Sequence, residues 1–322
     1  MKSASEFDGM LEKANQNDPK AQYAVAKAYL DGRVVAKNYQ LGLEWCEKAA
    51  QNNHAYAQFH LGHLKTREAT QTLSGLIPPF ANSFGVDLNP VGVSPIFVRI
   101  PNAALSVNNA QNFQKVVEAY QKAQRTPAYQ DARNQLLVGL DWLEKAAAQG
   151  QMEAQYELAE LYQTGGPFPH DLKKSVMFAE MASDKGHSGA TAMLSNMNQR
   201  GIDGVLKANR AKSLELLKKA SRLGDLPSQN LLALKLIYGE DVERQDQPGA
   251  LQLLEKAANA GYSKSLYNLA ICHYCGVGAK KDPEKAIQLL QTIVDQAELV
   301  VNTLNKMLAG SKEISIYGGL VY

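Results

Sequence analysis

The chain has 322 residues, of which 45% are hydrophobic and 20% are charged, proportions typical of a folded globular protein. Its 34 basic and 32 acidic residues nearly balance, which leaves no concentrated basic surface for nucleic acid. No stretch reaches the roughly 20 consecutive apolar residues of a transmembrane helix. Three cysteines are too few for a disulfide framework.

The first residues include a lysine but no apolar run, so we recognise no signal peptide. Residues 7–17 have the pattern of the second helix of a helix pair, which predicts a capping helix ahead of the first repeat. We therefore expect a cytoplasmic protein by default, or a periplasmic one if a signal peptide has been removed.

Two columns of glycines recur through the chain. Gly150, Gly186, Gly224 and Gly261 follow one another after 36, 38 and 37 residues, and Gly165, Gly201, Gly239 and Gly276 keep the same intervals. Glycine ends helices because it adopts the left-handed conformation without strain. Apolar residues at helical spacing lie between the columns, which predicts consecutive helix pairs. Each pair needs neighbours to bury its apolar face, so the pairs must stack into an all-α solenoid.

The repeats share further residues: Ala154-Gln155, Leu158-Ala159, Tyr162 and Gly165 in one copy, and Ala21-Gln22, Tyr29, Gly32 and Lys48-Ala49-Ala50 in another. This pattern resembles the Sel-1-like repeat, a relative of the tetratricopeptide repeat. The resemblance implies a right-handed α/α superhelical solenoid of about six helix pairs that contacts other proteins. It implies no substrate.

The second repeat is interrupted, because the interval from Ala57 to Ala154 is 97 residues instead of about 36. We predict residues 1–65 to hold a capping helix and the first repeats, and 66–128 to be an irregular insertion. Residues 129–310 should hold the remaining repeats and a C-terminal capping helix, followed by a tail at 311–322, all in one continuous solenoid domain. The proline-rich, apolar part of the insertion either packs on the solenoid or forms part of a partner-binding surface.

Positions that vary between repeats are candidates for binding, because the repeated residues hold the stack together. On the first helices these positions are expected to line a concave face, and in the insertion aromatic side chains are expected to reach its rim. The predicted partner-binding residues are His60, His63, Phe80, Phe84, Phe97, Glu157, Leu231, Leu234 and Ile271. The apolar positions Leu231, Leu234 and Ile271 are either an exposed strip or are buried by the C-terminal helix.

The sequence contains only weak signals of a metal, redox or catalytic site. His60 and His63 lie one helical turn apart but lack a third metal ligand, so a surface role is the expectation. Cys272 and Cys275 are expected to be packing residues, with a labile disulfide or half of a metal site as alternatives. No catalytic motif, metal set or cofactor-binding loop is recognisable, so we expect neither enzymatic activity nor a cofactor.

These observations predict a non-enzymatic scaffold that binds a protein partner through its concave face and the insertion. By resemblance to bacterial uses of the repeat, one expectation is an immunity protein that neutralises a secreted toxin such as a type VI secretion phospholipase. An alternative is an adaptor or regulator of envelope or secretion machinery. An alternative of another class is a hydrolase of cell-wall or β-lactam type.

Overall fold

The computed structural model describes residues 4–76, 121–165 and 170–292, together with residue 118. The chain divides into two compact units, residues 1–182 and 183–322. Regular structure in the described ranges is α-helical, apart from an isolated antiparallel bridge between Ile202 and Leu206. The predicted all-α repeat solenoid is confirmed.

The first unit consists of helix pairs preceded by one further helix. Its helices are α1 Ala4–Asn15, α2 Pro19–Asp31, α3 Tyr39–Gln51, α4 Ala55–Leu76, α5 Pro127–Ala148, α6 Met152–Thr164 and α7 Leu172–Asp184, the last of which ends just inside the second unit. The α1 helix lies at the predicted capping position, and its Phe7 ring contacts Tyr29 of α2 edge-on, with the ring centroids 5.7 Å apart.

The second unit repeats the same pairing. Its described helices are α8 Ser188–Arg200, α9 Arg210–Arg222, α10 Leu226–Tyr238, α11 Gln247–Asn259, α12 Ser263–Cys275 and α13 Pro283–Gln291. The strongest helix contacts in both units join helices that follow one another in the sequence. This locality is expected of a repeat array.

Short polar side chains start the helices and left-handed residues end them. The side chains of Asp18, Asn38 and Asp225 accept hydrogen bonds from amides in the first turn, which removes unpaired donors there. The glycine columns have positive φ throughout, and Asn17 and Asn53 adopt the same conformation where the earlier repeats lack the glycine. Asparagine is among the non-glycine residues that tolerate this conformation best.

A buried glutamine ties each of four first helices to the helix before it. We call Gln22, Gln58, Gln155 and Gln229 the repeat glutamines. Their side-chain amides donate to the carbonyls of Ala14, Ala50, Ala147 and Ser221, each eight residues earlier, at 2.9–3.1 Å. Each of these carbonyls lies at a helix end and also accepts a main-chain amide three residues later, so the glutamine adds a second hydrogen bond that joins the two helices.

The α4 and α5 helices approach one another closely at two glycines. A Cβ on Gly139 would lie 2.9 Å from the Thr66 amide nitrogen and 3.1 Å from the Gly62 carbonyl oxygen, and a Cβ on Gly62 would lie 2.9 Å from the Leu143 amide nitrogen. Any larger residue would therefore push the two backbones apart.

The helices that flank the insertion extend into its predicted range of 66–128. The α4 helix continues to Leu76, because Ala69 and Leu73 are buried and no helix-ending glycine follows Thr66. At its other end, α5 already begins at Pro127, capped by Thr126. The long interval is therefore partly helix.

The predicted C-terminal capping helix and the tail at 311–322 lie outside the described residues, as does the middle of the insertion. Within the described ranges, none of the helices combines the length and the hydropathy that crossing a bilayer requires.

Candidate functional site

In the first unit, α4 and α6 together hold a small polar cluster at the surface. His63 Nδ1 lies 3.0 Å from Glu157 Oε2, and Thr66 Oγ1 lies 3.3 Å from Glu157 Oε1 and 3.0 Å from the His63 carbonyl oxygen. The structure thus brings together two of the predicted binding residues, which are 94 positions apart in the sequence.

The Glu157 carboxylate is held in an unfavourable environment. Its side chain is only 18% exposed, whereas His63 is 46% exposed. Burial raises the pKa of Glu157, and the imidazole of His63 and the hydroxyl of Thr66 oppose that rise without cancelling it. Burial also lowers the pKa of His60, with His63 and Lys27 adding to the effect.

The order of the three groups differs from that of a hydrolase. In a nucleophile–histidine–acid relay the imidazole lies between the hydroxyl and the carboxylate, so that it can take the hydroxyl proton. Here the carboxylate lies between the imidazole and the hydroxyl, and Thr66 donates towards Glu157 or to a main-chain carbonyl. This geometry activates no nucleophile.

Around the cluster, one face of α4 carries a row of aromatic side chains. Tyr56, Phe59, His60 and His63 follow one another at the i, i+3, i+4 and i+7 positions, and we call them the aromatic stripe. Tyr56 is 56% exposed, and the other three are exposed or half-buried. Tyr23 of α2 extends the row, since its ring stacks on His54 with centroids 4.7 Å apart and lies 6.4 Å from Tyr56.

Sequence analysis identified His60 and His63 but missed Tyr56 and Phe59. The repeats contain the information needed to find them, because the spacing from Tyr56 to His63 defines one helix face. That face is opposite the buried residues Ala57, Gln58 and Leu61.

In the second unit, the predicted apolar strip is not exposed. Leu234 and Ile271 are completely buried, and Leu231 is half-buried. Ile271 belongs to a core cluster with Ala286 and Leu290 of α13. The exposed-strip alternative is therefore wrong for Leu234 and Ile271, because helix packing encloses positions that vary between repeats.

The insertion residues Phe80, Phe84 and Phe97 lie outside the described residues, and their role in binding stays a prediction.

The three cysteines are free thiols. Cys46 and Cys272 are completely buried, and burial raises the pKa of each to about 12, so neither is a thiolate at neutral pH. Cys272 occupies the expected core position. Among the described residues, no three histidine, cysteine or acidic side chains are grouped as metal ligands.

The second unit contains a cleft that the sequence analysis missed. Its volume is about 520 Å³, and we call it the charged cleft; its lining residues are Gln199, Arg200, Arg210, Lys235, Glu240 and Asp241. Lys235 Nζ lies 2.7 Å from Asp241 Oδ2. The Lys235 position is apolar in other repeats, where Leu161, Met197 and Cys272 stand, and this departure could have revealed the cleft.

Comparisons with known proteins agree with this architecture. A protein of Neisseria meningitidis serogroup B, the uncharacterized NMB1327, is 24% identical over 324 residues, covering 97% of this chain and 65% of its own length. The Sel1-repeat-containing protein YjcO of Escherichia coli K12 is 30% identical over 146 residues, covering 44% of this chain and 60% of its own length. The chain thus spans under two thirds of either relative.

A solved structure shares the fold. The crystal structure of a Sel1 repeat protein from Oxalobacter formigenes matches with a TM-score of 0.60 at 17% identity, covering 92% of this chain and all of that one. The family model described as Sel1 repeat matches residues 19–54, 133–151, 153–187, 188–225, 226–262 and 263–296, more than half of the chain. The chain therefore belongs to the Sel1 repeat family, whose solenoids are scaffolds for protein–protein interaction.

Proposed function

We propose that this scaffold binds a protein partner through the aromatic stripe and the adjoining Glu157. The observation that carries the proposal is the exposure of the aromatic stripe, because the opposite face of α4 already supplies the helix with its packing. Aromatic side chains are enriched at protein interfaces, where they bury a large area and lose little conformational entropy.

The polar cluster beside the stripe supports the same function. Glu157 is partly buried at an energetic disadvantage, and His63 holds it in a fixed orientation. A fixed carboxylate next to aromatic rings can accept a hydrogen bond from a partner and select its register. A partner donor would also compensate for the desolvation that raises the Glu157 pKa.

The test compares a variant that removes side chains of the aromatic stripe with a variant that removes an exposed tyrosine outside it. The partner is isolated from the native host with the wild-type chain as bait and then purified. Tyr56→Ala combined with His63→Ala should weaken its binding by roughly 2 kcal/mol or more, a loss of about 30-fold. Isothermal titration calorimetry gives the affinity, and circular dichroism checks the helix content.

Tyr39→Ala is the matched control, because Tyr39 is 51% exposed at the start of α3 and lies outside the stripe. It should bind as the wild type does. Equal affinities for all three proteins would contradict the stripe as the binding surface.

Within this function, the partner we propose is a secreted bacterial toxin, which the chain would neutralise by covering its active surface. The support is the sequence resemblance to repeat proteins used in this way. Co-expression with the product of a neighbouring gene tests it: the pair should co-purify, and the toxicity of that product should be abolished. A partner from the envelope or the secretion machinery would support the adaptor alternative instead.

A further inference from the structure

The charged cleft in the second unit is built from two firmly held segments. One is the loop that joins α8 to α9, which is closed by the Asn209 amide donating to the Asn198 carbonyl at 2.7 Å and by the bridge between Ile202 and Leu206. Arg200 is the last residue of α8 and Arg210 the first of α9, so this closure fixes both ends of the loop.

The other segment is the end of α10, where a lysine replaces an apolar core residue. The Lys235 side chain is only 8% exposed, and taking an ammonium out of water costs several kcal/mol unless it is paired. Asp241 supplies the pairing from a left-handed backbone with φ +58, a conformation that aspartate tolerates better than most non-glycine residues. Hydrogen bonding and charge from Lys235 lower the pKa of Asp241, with a smaller contribution from Arg210.

A buried charge thus lies at the cleft in place of the apolar residue of the other repeats. A leucine or methionine at position 235, as in other repeats, would fill the core without a buried charge. A buried charged side chain that lines a cleft is typical of binding and catalytic sites.

The lining of the cleft also carries more positive than negative charge. The cleft is lined by three cations and two carboxylates, which leaves one net positive charge. Asp241 pairs with Lys235, while Arg200 and Arg210 form neither an ion pair nor a side-chain hydrogen bond with any described residue. Arg210 moreover stands at a helix N-terminus, where the helix dipole disfavours a cation and favours an anion.

We propose that the charged cleft binds one oxyanion, supplied by the carboxylate of an aspartate or glutamate side chain on a protein partner. The two arginines donate to it, and the buried Lys235 ammonium keeps further N–H groups available beyond the one that Asp241 accepts. A single negative charge matches the net charge of the cleft. Because the chain belongs to a family of protein-interaction scaffolds, a side chain of a partner protein is the source we assign, and free phosphate is the competing source that the test distinguishes.

This inference uses the scaffold role of the proposed function, but its test needs no partner. The full chain labelled with ¹⁵N is titrated separately with acetyl-Ala-Glu-Ala-amide, with acetyl-Ala-Gln-Ala-amide and with inorganic phosphate. The glutamate peptide should shift the amide resonances of residues near Arg210 and Lys235, and the shifts should weaken as salt is added. The glutamine peptide should leave these resonances in place.

Arg200→Gln combined with Arg210→Gln should reduce the affinity for the glutamate peptide by about tenfold or more, because charge-assisted hydrogen bonds are lost. Both arginines are exposed, so the fold should be retained. Arg222→Gln is the matched control, since Arg222 is an exposed arginine at the other end of α9 and should leave the affinity unchanged.

Three results would overturn the proposal: no shift near the cleft, equal binding of the two peptides, or equal affinities for the double arginine variant and wild type. Tighter binding of phosphate than of the glutamate peptide would overturn the assignment to a partner carboxylate. None of these results bears on the aromatic stripe, which lies in the first unit.

Discussion

At the scale of single residues, the repeat glutamines differ in how fully their side chains are hydrogen-bonded. Gln22 and Gln58 use both ends of the amide, because their oxygens accept hydrogen bonds from Asn52 and Gln149 at the ends of the following helices. The oxygen of Gln229 is buried without a hydrogen-bond partner in the described ranges. At the end of the helix that follows Gln229 the chain has Ala260, which offers no side-chain donor.

We expect Ala260→Gln to stabilise the protein. The new amide occupies the place that Gln149 has in the second repeat and can donate to Gln229 Oε1, a gain of about 1 kcal/mol for a buried acceptor that was unpaired. Urea unfolding measures the change. On a Gln229→Met background the gain should vanish, and a gain that persists there would contradict this explanation.

Glu157 is a second residue whose individual properties have a measurable consequence. The pKa of Glu157 is raised in the folded protein, so the folded state binds this proton more tightly than the unfolded chain does. The stability that the protonated carboxyl gives is complete below the ordinary glutamate pKa and is lost as the pH rises through the raised pKa. The carboxylate is therefore a net cost to folding at neutral pH.

Glu157→Gln removes this loss, so the free energy of unfolding of the variant relative to wild type should increase as the pH rises from below the ordinary glutamate pKa through the raised one. Guanidinium unfolding at several pH values gives the difference. Glu160→Gln changes an exposed residue of the same helix and should show a flatter profile. A difference for Glu157→Gln that falls with pH would show that the bond to His63 outweighs burial.

At the scale of the helix, the crossing of α4 and α5 depends on the absence of two side chains. Gly62 and Gly139 let main-chain atoms of both helices meet, and Thr66 and Leu143 pack over them. Sequence analysis could not recognise this, because isolated glycines inside helical patterns normally indicate weak helices.

Gly139→Ala should destabilise the protein by about 1–3 kcal/mol, because the added methyl group meets main-chain atoms that cannot rotate away. Thermal unfolding followed by circular dichroism detects the loss. Gly9→Ala is the control: Gly9 lies inside α1 with no atom within 4 Å of an added Cβ, so alanine should stabilise that helix by about 0.5–1 kcal/mol. Equal effects of the two substitutions would contradict the close approach.

At the scale of the whole molecule, the repeat architecture was predictable because the two glycine columns fix where helices end. The burial of Leu234 and Ile271 was not predictable in the same way. Variation between repeats shows that a position is free of one fixed packing role, but it does not show that the position faces water. Lys235 is the converse case. The equivalent positions of other repeats hold apolar residues, so the repeat pattern predicts a core residue there and by itself gives no sign of a cleft.

The close approach of α4 and α5 has a consequence for how the sequence of this chain can evolve. Two helices that hold each other in place fix the ends of whatever segment joins them, so closing that loop costs entropy that rises only with the logarithm of its length. Doubling the segment would cost about 0.6 kcal/mol. The junction between Leu76 and Pro127 is therefore a place where segments of different length and sequence could be exchanged while the repeats on either side keep their packing.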